Sequence, residues 1–279
     1  MKFNDRLDHI CKAKQSHVCV GLDLDLTKIP TCLLKEQRPL YKFAEEIIAA
    51  THQWAAAYKL NTAFYEASGI EGWRLLTDIV ELIPDGIIRI ADAKRGDIGN
   101  TSSMYARAFF DELPFDAVTV NPYLGIDGVA PFIEREDKGA FIVCLTSNKS
   151  AKDFQYTEQD GVRLYERVAL KVNEWNRLDN CCLVVGATYP DELKRIRALV
   201  PELPFLIPGI GAQGGDLELS VRYTFESARR SSLFNSSRGI LYGIDSGDYA
   251  RSAAERCRML KDDINRYKKW DEGEIIGQE

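Results

Sequence analysis

Histidine is scarce in this chain: three residues, His9, His17 and His52, all fall within the first fifth of 279. No HExxH stretch accompanies them and no His/Cys cluster forms, which argues against a zinc centre. Seven cysteines (11, 19, 32, 144, 181, 182 and 257) are odd in number, scattered and free of any CxxC spacing. That usage fits reduced thiols and a cytoplasmic protein. No apolar run approaches ~18 residues, so no transmembrane helix and no membrane partner are expected. The first residues, Met1-Lys2-Phe3-Asn4-Asp5-Arg6-Leu7-Asp8, lack the apolar core of a signal peptide. Basic excess is missing too: the formal net charge of -6 argues against nucleic acid as the main partner. No Pro/Ser-rich linker or low-complexity tract divides the chain, so residues 1–279 are expected to form a single domain. Chemistry here has to rest on Lys, Asp and backbone groups.

The most informative stretch present is Ile88-Arg89-Ile90-Ala91-Asp92-Ala93-Lys94-Arg95-Gly96-Asp97-Ile98-Gly99-Asn100-Thr101. It opens as an apolar strand and ends on a helix start. Strand side chains alternate faces, so Ile88, Ile90, Asp92 and Lys94 should point the same way. A carboxylate and an ammonium then leave the strand end side by side, above an apolar face. Opposite charges fixed there are costly unless paired or used. A bare DxKxxD could also be a surface salt bridge followed by a capping loop, and the segment alone leaves that open.

Short apolar runs alternate with helix-like segments along the whole chain. Strands are expected at Val18 to Leu22, Ala56 to Leu60, Ile87 to Asp92, Ala117 to Asn121, Ala140 to Leu145, Cys182 to Gly186, Phe205 to Pro208 and Ser232 to Ser236. Helices are expected around 40–53, 70–83, 101–112, 125–136, 159–178, 190–199, 216–230 and 247–268. Eight such units in alternation read as an α/β fold, a (β/α)8 TIM barrel. A doubly wound sheet fits the even repeat less well. Residues 1–15 read as an extra N-terminal helix closing the barrel bottom, and 271–279 as a short C-terminal tail.

Catalytic groups of such barrels sit at strand C-terminal ends. Polar residues recur at those ends: Asp23; Lys59 with Asn61, on the face of Ala55 and Ala57; Asp92 and Lys94; Asn121; and Thr146-Ser147-Asn148. After the seventh strand comes Pro208-Gly209-Ile210-Gly211-Ala212-Gln213-Gly214-Gly215-Asp216, and after the eighth Ser236-Ser237-Arg238-Gly239. Glycines leave backbone N–H groups open to an anion, and barrels often bind phosphate at these two loops. Gly209 to Gly214 also spells GxGxxG. A dinucleotide site would need an acid at the end of the next strand, where this chain has Ser and Arg. A glycine turn without ligand is the plainer alternative.

Together these residues resemble the orotidine 5'-phosphate decarboxylases of the longer bacterial subgroup. The likeness rests on Asp92 to Thr101, Pro208 to Asp216 and Asn235 to Gly239. Gly21-Leu22-Asp23, Tyr58 to Glu66 and Val185 to Thr188 support it. One departure stands out: after Thr146-Ser147-Asn148 the family pattern has Pro-Gly, and this chain has Lys149-Ser150. The resemblance implies a lyase of pyrimidine and UMP biosynthesis. It would convert orotidine 5'-phosphate to UMP and CO2 through a Lys-stabilised carbanion, with no metal and no cofactor. It also implies a homodimer with sites at the interface. By motif position Lys59, Asp92, Lys94 and Asp97 would form the catalytic charge array, with Asp97 and Thr101 reaching the neighbouring subunit's site. Asp23 and Lys59 would hold ribose hydroxyls and Ser147 the pyrimidine. Gln213, Arg238 and the loop of Gly209, Gly211 and Gly214 would hold the phosphate. The competing enzyme class is a metal-dependent sugar-phosphate decarboxylase or aldolase on the same barrel, for which Glu66 is the obvious extra magnesium ligand. Nothing is left over for a fused phosphoribosyltransferase domain.

Overall fold

The structure is a computed structural model that describes residues 1–210, 215–243 and 248–274, with the backbone alone over 269–274. Eight parallel strands close into a barrel: β1 Val18–Gly21, β2 Ala57–Asn61, β3 Ile88–Arg95, β4 Ala117–Val120, β5 Gly139–Leu145, β6 Cys181–Val185, β7 Phe205–Ile207 and β8 Leu233–Ser236. β1 closes the ring by pairing with β8, Val18 opposite Phe234. All eight expected strands are present, and the barrel is the expected fold.

The longer helices are α1 Phe3–Lys14, α2 Pro39–Thr51, α3 Gly69–Leu82, α4 Gly99–Arg107, α5 Ile126–Ile133, α6 Leu164–Trp175, α7 Pro190–Leu199, α8 Leu217–Phe225 and α9 Tyr249–Glu274. Proline opens α2 and α7, where its missing N–H costs nothing. Asp216 caps α8 by accepting from the Leu219 N–H at 3.0 Å. In α2, Phe43, Ala44, Ile47, Ile48 and Thr51 make one buried stripe against the strands. The larger apolar core lies in this layer between barrel and helices.

A second core fills the barrel interior, with Cys19, Ala57, Ile88, Ile90, Phe141, Val184 and Leu206 among its members. Ile88 and Ile90 thus face inward, as alternation requires, whereas Ala55 packs into the outer layer. α1 plugs the N-terminal mouth with Phe3, Leu7 and Ile10. The Phe3 ring meets Phe141 edge-on, 6.1 Å between centroids. A Cβ on Gly139 would stand 2.3 Å from that ring, so a glycine at the start of β5 lets the plug seat.

Several boundaries differ from expectation, some by no more than the fraying of a helix end. The helix expected at 159–178 starts at Leu164, because a hairpin of Glu158–Gln159 and Val162–Arg163 precedes it. Asp160 and Gly161 both have positive φ, +56° and +75°, the backbone of a tight two-residue turn. Glu166, in the first turn of α6, accepts from the Arg163 N–H and fixes the start there. The segment 271–274, read as tail, continues α9, and 275–279 lie outside the described residues. β3 runs three residues past Asp92, through an irregularity that shapes the site.

Candidate active site

Between β3 and β4 the pairs Ala91–Val118 and Arg95–Val120 are in register. Three residues of β3, Asp92, Ala93 and Lys94, therefore oppose one residue of β4, Thr119. The strand bulges where its charged groups sit, as strands often do beside active sites. Lys94 has φ +46°, in the left-handed region, at a backbone cost of about 1–2 kcal/mol. Simple alternation placed Asp92 and Lys94 on one face. They do lie side by side, but through a bulge and a strained backbone rather than regular pleating.

Asp92 is the centre of the arrangement. Its Oδ1 accepts from Lys94 Nζ at 2.6 Å and from the Thr119 hydroxyl at 3.0 Å. Its Oδ2 accepts from Lys59 Nζ at 2.9 Å. Lys59, brought in by β2 one strand away, also lies 3.6 Å from Asp23 Oδ1. Burial opposes the charge on Lys59, but Asp92 and Asp23 outweigh it and raise its pKa above the ordinary lysine value. Burial likewise opposes the charge on Asp92, and Lys59 and Lys94 overcome it, holding the carboxyl far below the usual range. Lys59 and Asp92 are buried, while the Lys94 side chain is half exposed to the cavity.

That cavity, about 340 Å³, opens at the C-terminal ends of the strands. Lys59, Asp92, Lys94 and Asp23 line one side, and Val143, Val184 and Leu206 give it an apolar wall. Ser147 and Asn148 stand on the rim after β5. Gln155 clamps this rim: its Oε1 accepts from the Thr146 N–H and its Nε2 donates to Thr146 Oγ1, both at 2.8 Å. Thr188 Oγ1 donates to the Ser147 carbonyl at 3.1 Å. Where the family pattern has Pro-Gly, Lys149–Asp153 forms a 3-10 turn.

Across the cavity lie Pro208, Gly209 and Ile210, then Ser236, Ser237 and Arg238. The ends of the glycine loop are pinned, with the Gly215 N–H donating to Gly209 O at 3.3 Å and Ile210 bridged to Gly215. Gly211, Gln213 and Gly214 lie outside the described residues. A Cβ on Gly21 would come within 2.0 Å of Ser237 Oγ, so glycine there lets β1 and the loop after β8 close up beside Asp23.

Of the residues singled out from sequence, Asp23, Lys59, Asp92, Lys94, Ser147, Gly209 and Arg238 line this one cavity. Asp97 and Thr101 do not. The Asp97 carboxylate turns back to accept from the Ile98 N–H at 2.8 Å, and Thr101 is exposed on α4. Around them lies an exposed apolar patch of Ile98, Met104, Tyr123, Leu124 and Ile126. Glu66 pairs with Arg95, whose guanidinium also lies over the Tyr105 and Phe109 rings. Sequence reasoning missed Thr119 as a cavity residue; Asn61, named only as a strand-end polar residue, and Asn235, named only within a motif, line the cavity as well. Thr119 had a readable signal: a hydroxyl two residues after Ala117, on the inward face of an apolar strand. Among the described residues no group of three or more His, Cys, Asp or Glu could hold a metal ion, and no helix is long and apolar enough to cross a membrane.

Comparison with known proteins bears on the same cavity. The model of the Orotidine 5'-phosphate decarboxylase / HUMPS family matches residues 16–253. The orotidine 5'-phosphate decarboxylase of Dehalococcoides mccartyi strain 195 is 49% identical over 273 residues, covering 96% of this chain and 99% of that one. The solved OMP decarboxylase of Leishmania donovani superimposes with a TM-score of 0.80 at 38% identity, covering 95% of this chain and all (100%) of that one. The UMP synthase of the same organism gives 0.81 at 39% identity; there the match takes in 94% of this chain but only 57% of the longer one. With the match spanning nearly the whole barrel and every strand that lines the cavity, this chain belongs to the orotidine 5'-phosphate decarboxylase family.

Proposed function

We propose that this protein decarboxylates orotidine 5'-phosphate to UMP and CO2, the closing step of pyrimidine nucleotide synthesis, in the cytoplasm. The observation that carries the reading is the Lys59–Asp92–Lys94 array, joined at 2.9 and 2.6 Å, facing an apolar wall across a cavity of nucleotide size. Losing CO2 from the pyrimidine leaves an electron pair in the ring plane, where the π system gives it no sink. A fixed ammonium must stabilise that pair and then protonate the carbon. Lys94 fits: it is held by Asp92 yet half exposed to the cavity. Asp92 would lie beside the departing carboxylate. Two like charges at ~4 Å repel by ~4 kcal/mol at an effective dielectric of ~20, whereas large enzymatic accelerations need up to ~20 kcal/mol. Ground-state repulsion is thus a minor contribution. Most of the effect comes from the preorganised Lys94 charge and from phosphate binding expressed in the transition state.

Asp23 supports a ribose-binding role, since its Oδ1 is buried without a hydrogen-bond partner and could accept from a hydroxyl. Ser147 stands where it could meet the base, with Gln155 and Thr188 holding its loop in place of Pro-Gly. Arg238 and the loop from Gly209 through Gly211, Gln213 and Gly214 would take the phosphate. The metal-dependent sugar-phosphate reading fares worse: Glu66 is engaged by Arg95, and both Asp92 oxygens are taken by lysines. The test is the ultraviolet absorbance change of orotidine 5'-phosphate with purified protein. Turnover that survives exhaustive chelation supports this reading, and loss on EDTA with rescue by magnesium favours its rival.

Asp97 and Thr101 enter the scheme through a homodimer. The apolar patch beside them is the surface we assign to the two-fold contact, which would carry each Asp97 to the other subunit's Lys94. Lys94→Ala and Asp97→Ala homodimers should both be nearly inactive. In a mixed dimer one site collects both changes and the other neither, so random reassortment should restore about a quarter of the wild-type sites. No recovery on subunit exchange would place Asp97 in its own subunit's site.

A further inference from the structure

The β4 residue opposite the bulge has no part in the scheme so far. Thr119 is buried, and its one hydroxyl is used in both directions. It accepts from the Lys94 backbone N–H at 2.8 Å and donates to Asp92 Oδ1 at 3.0 Å. In a regular parallel ladder the N–H of a β3 residue would go to a carbonyl of β4. Here β3 has left the ladder after Ala91 and rejoins it at Arg95, whose carbonyl accepts from the Asn121 N–H at 2.8 Å. Across the gap the Thr119 hydroxyl links the two strands.

We propose that Thr119 is a positioning residue that holds Lys94 and Asp92 in one fixed geometry; this rests on the decarboxylase reading above. The physical argument has two parts. Lys94 sits at φ +46°, a conformation that relaxes unless its surroundings hold it. The Thr119 hydroxyl anchors that residue's own N–H, so the ammonium starts from a fixed backbone. The same hydroxyl occupies one lone pair of Asp92 Oδ1, which limits the carboxylate's rotation and sets where Lys94 Nζ can meet it. Because the side-chain atom must accept from one group and donate to the other, a hydroxyl suits both bonds and a thiol makes both only weakly. Valine has the same shape and does neither. It would leave the Lys94 N–H without this partner and Asp92 held by its two lysines alone.

A lysine displaced by a fraction of an ångström loses much of its transition-state interaction while ground-state contacts at the far end of the ligand persist. Thr119→Val should therefore lower kcat by about tenfold or more, with UMP affinity within about twofold of wild type. Thr119→Ser should restore most of kcat, and Thr119→Cys, whose thiol is a weak donor and acceptor, should fall between Ser and Val. If Thr119→Val does not fold, the Ser and Cys variants carry the same comparison. A generic packing defect would lower the melting temperature, kcat and UMP affinity together, without the Ser rescue. That pattern overturns the proposal, as does kcat within twofold of wild type for Thr119→Val or, should it not fold, for Thr119→Cys. A wild type with no turnover of orotidine 5'-phosphate overturns the decarboxylase reading and this inference with it. An active wild type with an indifferent Thr119 overturns this inference alone.

Discussion

At the mouth closed by α1, Arg230 reaches Asp5 at 2.7 Å and Asp8 at 2.8 Å and also pairs with Asp179; at the other mouth Lys59 and Lys94 converge on Asp92. Both are ionic networks at the end of the same eight strands. At the lower mouth the groups run from α1 across to the starts of β6 and β8, and the Ser231 N–H donates to Asp8. That network ties a helix to the barrel. At the upper mouth Lys94 is half exposed and Asp23 Oδ1 lacks a hydrogen-bond partner. The difference lies in what remains unsatisfied. A closed network is structure, while one that keeps a cation and an acceptor facing a cavity is equipped to act on something else.

The sharpest way to break that contrast is Lys94→Ala. It should cut kcat by at least about 10⁴-fold, some 5.5 kcal/mol of transition-state stabilisation, because it removes a whole preorganised charge. The melting temperature should change little, since the Lys94 ammonium is half exposed and Asp92 keeps Lys59 and Thr119 as partners. Activity within tenfold of wild type would remove Lys94 from the chemistry. Next in size is Arg238→Ala, which should weaken UMP binding by about 2–3 kcal/mol, some 30- to 150-fold, and leave uridine binding nearly unchanged. Titration calorimetry with the two ligands separates these outcomes. Equal losses would mean that Arg238 supports the loop rather than the phosphate.

Arg230→Ala is the mirror test at the closed mouth. Removing one cation strands three carboxylates around a partly buried site, which should cost about 3 kcal/mol of stability in denaturant unfolding. Turnover below the unfolding transition should not change. A fall in kcat with unchanged stability would show the two mouths to be coupled and the contrast mistaken.

The upper mouth was largely legible in the sequence because its residues obey short-range rules. Asp92 and Lys94 are two apart on a strand, and Gly209 and Arg238 follow strand ends, so a barrel reading brings them together. What alternation could not give was the bulge. It depends on three β3 residues facing one on β4, a relation between strands 25 residues apart or more. The role of Thr119 was hidden with it, although its polar character on an inward face was visible. Asp97 and Thr101 lie off the cavity of their own chain because the turn after β3 carries them outward; the resemblance had assigned them to the neighbouring subunit's site. The hairpin before α6 was missed because the helix-like pattern of 164–178 was extended across Asp160-Gly161, whose positive φ values end it.

The smallest predicted effect concerns His17, also at the closed mouth. Its Nδ1 lies 2.9 Å from the Ser232 carbonyl and its Nε2 3.1 Å from Lys268 Nζ, so the imidazole donates at one nitrogen and accepts at the other. That pattern exists only for the neutral ring. Burial, with the Lys268 charge adding to it, pushes the His17 pKa down to about 3. An unfolded chain would titrate near ~6.5, so it binds a proton that the folded protein refuses. The associated stability is present above that pH and is lost as pH falls toward the folded value. Between pH 6.5 and 5, above the range in which most carboxylates titrate, stability should fall by about 1 kcal/mol per pH unit. His17→Gln keeps an amide N–H for the Ser232 carbonyl and carries no titrating group, so its unfolding free energy should be flat over that window. The same slope in both proteins would assign the acid sensitivity elsewhere. Turnover measured against fraction folded should coincide for the two, because His17 stabilises the mouth that does no chemistry.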